Sequence, residues 1–183
     1  MLRYYQPTPF EEWIENLWRK AGIATPEQLT IDEVAARLNV WVHYLNVSSR
    51  ALEWTGMRSI LIDKRLSRAE QWGDFLHELC HILRHAGNQT LMPRSFLEHQ
   101  EAEANRFALY ASMPYYMLKK IRLPERRSEA IAHIASRFGV TFSLASRRLD
   151  QIQRRTFEAI LWAEFGRLEL ERQQRLRCSG QRP

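Results

Sequence analysis

The sequence predicts an α+β fold, mostly helical, with a small antiparallel sheet in its first half and a helical C-terminal region. Three observations lead there. Apolar residues recur at helical spacing over most of the chain, two short runs rich in β-branched and aromatic residues interrupt that spacing near residues 40 and 60, and the chain after Pro124 reads as helical throughout. A chain of 183 residues can bury a substantial core, and the pattern divides it into a main domain, residues 1–125, and a basic helical region, residues 126–183.

Each element has a local reason. Pro9 to Ala21 places Phe10, Trp13, Ile14, Leu17 and Trp18 near one helical face. Thr30-Ile31-Asp32-Glu33 has the form of a capping box, in which a hydroxyl and a carboxylate satisfy backbone donors reciprocally, and it opens a helix through Leu38. Val40 to Leu45 alternates in polarity and Met57 to Ile62 is a short apolar run ending at Asp63, so both read as strands. Ser67-Arg68-Ala69-Glu70 is a second capping box, opening a helix that runs to His85 with Leu76, Leu79, Ile82 and Leu83 as its apolar face and Gly87-Asn88 as its stop. Glu98 to Tyr110 gives a further helix. Ile131 to Leu149 resembles a helix-turn-helix, turning at Gly139 and carrying Ser146, Arg147 and Arg148 on its second helix. A last amphipathic helix spans Thr156 to Leu176, and Cys178 to Pro183 reads as a disordered end.

One of these helices carries chemistry. His77-Glu78-Leu79-Cys80-His81 reads HExxH, and residues four apart on a helix project from nearly the same face, so both imidazoles can reach one metal ion. Glu78 then sits beside the ion's open position, where a carboxylate can take a proton from water. Cys80 is rotated off the His81 face and reads as a packed small hydrophobe. His85 lies another turn away and reads as a structural or substrate-side group. His43 and His133 lack any motif.

Catalytic zinc centres take three protein ligands and leave the fourth position for water, so a third ligand is needed. On the downstream helix, Glu101, Ala104, Asn105 and Ala108 share a face whose small residues permit close approach to another helix. That assigns Glu101 as the third ligand and Asn105 as a group that hydrogen-bonds a ligating histidine and fixes its tautomer. Glu98, on the same face, and His99 remain alternatives. Glu103 points the other way and reads as an exposed partner of Arg106.

HELCHILRH followed by EAEANRFALYASMP resembles the ImmA/IrrE family of bacterial zinc metallopeptidases, over about residues 25 to 150. His77, Glu78 and His81 match its first motif, Glu101, Asn105, Phe107 and Ala108 its second, and Met113-Pro114 its closing pair. Ala111-Ser112 stands where many relatives carry Leu-Leu. The resemblance implies a zincin-like domain holding one Zn²⁺, with Glu78 as general base. It also makes Met57, Arg58, Ser59, Ile60 and Leu61 the edge strand that would pair with an extended substrate. Tyr110, Tyr115, Tyr116 and His99 are available to stabilise the oxyanion. The implied activity is site-specific cleavage of a helix-turn-helix repressor of a mobile element, prophage or stress regulon.

Composition narrows the setting. No apolar run is long enough to span a bilayer and the amino terminus does not read as a secretion signal, which makes the cytoplasm the expected compartment. Cys80 and Cys178 do not make a disulfide framework. Residues 1–125 contain 15 Lys/Arg and 15 Asp/Glu, whereas residues 126–183 contain 12 and 6, so the whole +6 excess lies in the last third. Interspersed glutamates are consistent with a solvated helix, while the excess itself also suits contact with DNA or an acidic protein. Two further readings therefore stand beside the peptidase: a DNA-binding regulator with a structural or inactive zinc site, and a partner-binding module docking through its last helix.

Overall fold

The computed structural model describes residues 4–54, 56–85 and 93–179. Its elements in order are α1 (Pro9–Lys20), a 3-10 turn (Pro26–Gln28), α2 (Ile31–Leu38), β1 (Trp41–Leu45), β2 (Arg50–Trp54), β3 (Met57–Asp63), α3 (Arg68–Arg84), α4 (Arg94–Ser112), α5 (Tyr115–Leu118), α6 (Arg127–Phe138) and α7 (Phe142–Ser179). The chain forms two compact units: Pro7–Arg148, and residues 1–6 with 149–183. Among the described residues, no helix is long and apolar enough to cross a membrane.

The sheet is mixed, correcting the all-antiparallel expectation. Its order is β1-β3-β2, with β1 parallel to β3 and β2 antiparallel to β3. The reason is Arg50-Ala51-Leu52-Glu53-Trp54, a third strand whose charged residues and lack of β-branching hid it from a propensity reading. Because β2 folds back on one side of β3 and β1 pairs on the other, Met57 to Leu61 form the central strand. They are not the substrate-binding edge: β2 pairs along Met57 to Leu61, β1 pairs on the other side from Ser59 onward, and the edges of the sheet are β1 and β2. Ile60 and Ile62 are fully buried, as a central strand requires.

α3 begins at Ser67, whose hydroxyl accepts from the Glu70 amide while Glu70 accepts from the Ser67 amide. The box expected at Thr30 is only half made: Thr30 accepts from the Glu33 amide, but the Glu33 carboxylate pairs with Arg37. α3 buries Trp72, Phe75, Leu76, Leu79 and Ile82, packing on the sheet on one side and on α4 on another. Gly87-Asn88, the expected stop, lies outside the described residues. α1 caps with a complete Thr8–Glu11 box and lays Phe10, Trp13 and Trp18 against Phe107 of α4. Trp18 also donates its indole N–H to the Ala111 carbonyl at 3.1 Å, which fixes α1 to the end of α4.

α6 ends at Gly139 in the left-handed region (φ 63°), where a residue without Cβ turns the chain at least cost. The helix that follows is continuous from Phe142 to Ser179. The two helices expected there are one, and its last turn includes Cys178 and Ser179, expected to be disordered. Arg148 is fully buried: its Nη2 lies 2.8 Å from Glu11 Oε1, its Nε donates to the Met113 carbonyl at 3.1 Å, and its guanidinium stacks 4.7 Å from the Tyr110 ring. Ser146 accepts from Arg127. Of the three polar side chains expected to face DNA, Arg147 alone is exposed.

Candidate metal centre

Helical geometry brings the HExxH imidazoles together. His77 Nε2 and His81 Nε2 are 3.2 Å apart. α4 packs along α3 and delivers Glu101 from its own side, with Oε2 3.1 Å from His77 Nε2 and Oε1 3.4 Å from His81 Nε2. A tetrahedral ion with ligands at about 2.0–2.1 Å sets neighbouring ligand atoms roughly 3.3 Å apart. The three donors therefore already lie at the edge lengths such an ion needs. Two imidazoles and a carboxylate make a mixed nitrogen and oxygen set suited to a divalent transition metal. Glu98 and His99, the alternative ligands, are exposed on α4, and Glu98 is engaged with Arg94.

Glu78 lies on α3 beside β2, and its Oε2 accepts a hydrogen bond from the Ala51 amide at 2.7 Å. Burial pushes its pKa up, with the charges of Glu101 and Asp74 adding to that effect and the Ala51 bond and His77 opposing it. A carboxyl group held above its ordinary value is a better proton carrier near neutrality than a solvated one. The Ala51 amide points away from β3, so it orients one carboxylate oxygen and leaves Oε1 for a proton. No sequence signal marked Ala51, because its role follows from the edge position of β2.

Behind the imidazoles lies a relay that sequence reasoning missed. His85 Nδ1 is 2.9 Å from His81 Nδ1, and His85 Nε2 is 3.3 Å from Glu103 Oε2, while the other oxygen of Glu103 accepts from Arg84. With His85 neutral, the carboxylate accepts the His85 Nε2 proton, so His85 Nδ1 can only accept and His81 Nδ1 must donate. That leaves the lone pair of His81 Nε2 directed at the metal position, which is what a ligand requires. Burial, with His77 and His85 adding to it against Glu101, also lowers the His81 pKa and keeps it neutral. Glu103 is thus half-buried and committed to α3. Burial would raise its pKa, but the bonds from Arg84 and His85 outweigh it and hold it down. Arg84 itself is stacked on Phe10 and Trp13 at 5.0 and 4.7 Å.

Asn105 is exposed, and its side chain makes no hydrogen bond among the described residues. The support assigned to it comes from His85, one helical turn beyond His81, and the i, i+4 spacing that joined His77 to His81 was the available signal. Cys80 is fully buried with its thiol pushed up to about 12 by burial, as expected of a packed side chain. Of the tyrosines, Tyr116 donates its hydroxyl to the Ile23 carbonyl and Tyr110 packs between Phe10 and Arg148, so neither is positioned as an obvious oxyanion donor.

The stretch that carries these residues also matches known proteins. Residues 35–150 match peptidase M78, the IrrE N-terminal-like domain. The chain belongs to this family. It is 43% identical over 145 residues to the phage-like element PBSX protein XkdA of Bacillus subtilis (strain 168), covering 79% of this chain and 73% of that one. It is 39% identical over 146 residues to the uncharacterized protein YqaB of the same bacterium, covering 80% and 85%. A Mycobacterium tuberculosis transcriptional regulator of known structure shares the fold, with a TM-score of 0.57 at 17% identity over 76% of this chain. The match spans 46% of that regulator, less than half its length. As an M78 member the chain carries the α+β, zincin-like domain on which its candidate triad His77, His81 and Glu101 is built.

Proposed function

We propose that this M78 protein is an intracellular zinc-dependent endopeptidase that cuts a DNA-binding repressor at a defined site. The observation that carries the reading is the convergence of His77, His81 and Glu101 at tetrahedral edge lengths with Glu78 held beside them by Ala51. Those three residues would hold one Zn²⁺, which when bound supplies a Lewis acid that polarises the scissile carbonyl and acidifies water. Glu78 takes the proton from the attacking water on Oε1, and returns it to the departing amine as the carbon–nitrogen bond breaks. β2, the edge strand packed beside α3, replaces β3 as the strand along which an extended substrate would lie.

The substrate class is supported by kinship: a relative from a phage-like element suits a regulator of mobile-element genes. A helix-turn-helix repressor in the cytoplasm is the substrate that fits. The regulator reading, in which α6 and α7 bind DNA, is weakened by the burial of Arg148 against Glu11. The test is to incubate the zinc-loaded protein, and its Glu78→Gln form, with a helix-turn-helix repressor encoded beside it, and to analyse the products by mass spectrometry. One defined pair of fragments from the parent and none from the variant, both holding one zinc, is expected. Intact repressor in both reactions, together with salt-dependent binding of the parent to a specific duplex, would overturn the reading in favour of the regulator.

A further inference from the structure

From Leu149 onward α7 belongs to the smaller unit, with residues 1–6. At 3.6 residues per turn, Phe157, Leu161, Phe165 and Leu168 project within an arc of about 80°, and Ile160 widens it to about 140°. All five are exposed, Phe157 and Phe165 at 62% and Leu168 at 51%. Tyr5 lies on another face of the helix, where its hydroxyl accepts from Gln151 at 2.9 Å and its ring lies 5.6 Å from the Arg155 guanidinium. A helix that holds five large apolar side chains in water along one stripe has the pattern of an unpartnered interface.

We propose that the stripe pairs with the same stripe of a second copy, the two helices running antiparallel about a two-fold axis. Charge selects this occupant and this direction. With Phe157 opposite Leu168 of the other copy, and Leu161 opposite the aliphatic stem of Glu164, Arg154 falls opposite Glu171, and symmetry repeats that pair at the far end. Glu164 is drawn to the rim by Arg167 of its own helix. A parallel pair would instead set Arg154 against Arg154, Glu164 against Glu164 and Glu171 against Glu171, three like-charge contacts along one seam. Arg154 and Glu171 are exposed, and among the described residues their ion pairs are loose ones within their own helix, 4.0 Å to Glu158 and 3.9 Å to Arg167, so they are available to exchange partners. The contact runs about 26 Å along each helix, close to the lower size limit of specific interfaces at roughly 1,000 Å², so a weak, reversible dimer with a dissociation constant on the order of micromolar is expected.

Analytical ultracentrifugation of the full chain between about 1 and 200 µM tests this. A monomer–dimer equilibrium is expected, with Leu161→Glu raising the dissociation constant at least roughly 100-fold. Arg154→Glu and Glu171→Arg should each weaken dimerisation about tenfold, and the double variant should restore it. The variants are read beside their helical circular dichroism and zinc content, so that a folding defect is distinguished from a lost contact. A chain that stays monomeric at the highest concentration overturns the proposal. So does a dimer indifferent to Leu161→Glu, or one that the double charge variant fails to restore.

Discussion

The candidate metal face of α3 and the distal half of α7 are both helical surfaces, and they depart from the ordinary rules of burial in opposite ways. Around His77 and His81, polar and ionisable groups are partly or wholly withdrawn from water and each is tied to another: His81 to His85, His85 to Glu103, Glu103 to Arg84 and Glu78 to Ala51, with the more exposed Glu101 reaching in to both imidazoles. Beyond Leu149, large apolar groups are held in water. Desolvating polar groups is costly unless their partners are pre-arranged, so the first surface is maintained for what it does to a proton or a metal. Leaving aromatic groups solvated gives up burial that a folded chain normally gains, so the second is maintained for what covers it.

The largest expected effect breaks the first surface outright. His81→Ala removes a ligand and the link to the His85 relay together, and should reduce bound zinc, measured by mass spectrometry of the metal, from one equivalent to almost none. Glu78→Gln should keep the metal and slow peptide hydrolysis by about 10²–10⁴-fold. Retention of a full equivalent of tightly bound zinc by His81→Ala would place the metal elsewhere.

Next in size is the residue at which α7 passes from the larger unit to the smaller one. Arg148 is fully buried against Glu11, the Met113 carbonyl and the Tyr110 ring. Arg148→Met leaves the Glu11 carboxylate buried without its cation, and should cost about 3–5 kcal/mol of unfolding free energy in urea titration. Replacing both members, Glu11→Leu with Arg148→Met, should recover much of that loss, because a buried pair is worth little more than the apolar groups that fill its space. An Arg148→Met protein as stable as the parent would mean that this clamp is ornamental and that the two parts of α7 differ less than their surroundings suggest.

The metal face was legible in the sequence because helical periodicity fixes relative direction: His77, Glu78, His81 and Glu101 all came from counting residues along two helices, and α4 carries Glu101 to the imidazoles as that counting required. What counting could not give was contact across elements. Nothing local to Arg50-Ala51-Leu52-Glu53-Trp54 marks a strand, so β2 and its amide at Glu78 were invisible, and the central β3 passed for an edge. Glu103 was read by its nearest sequence neighbour, Arg106, when its partners lie across the helix pair on α3. Arg148 looked like a DNA contact for the same reason: its burial depends on Glu11, 137 positions away in the sequence.

A smaller effect sharpens the role of the relay. His85→Ala and Glu103→Gln leave all three ligands in place but release the His81 tautomer, so each should weaken zinc binding about 10–100-fold in competition with a chelator. Asn105→Ala, at an exposed side chain with no bond to the imidazoles, should leave affinity unchanged. If Asn105→Ala weakened zinc binding more than His85→Ala, the support of His81 would have to be reassigned.

The smallest expected effect lies at the joint that seats α3 on the sheet. Asp63 ends β3, and its carboxylate accepts from the backbone and guanidinium N–H groups of Arg65 at 2.6–3.0 Å, which holds its pKa down to about 2. An unfolded chain releases that proton near the ordinary aspartate value of about 3.9. The folded state therefore binds the proton less readily than the unfolded one, so the stabilisation is complete above about pH 4 and is lost as the pH falls towards 2. Asp63→Asn removes this contribution, and its unfolding free energy should fall less steeply than that of the parent between pH 4 and 2. Parallel curves for the two proteins across that window would show that the turn between β3 and α3 is set by the Gln71 side-chain bonds to the Asp63 and Leu66 carbonyls, with the Asp63 carboxylate contributing nothing measurable.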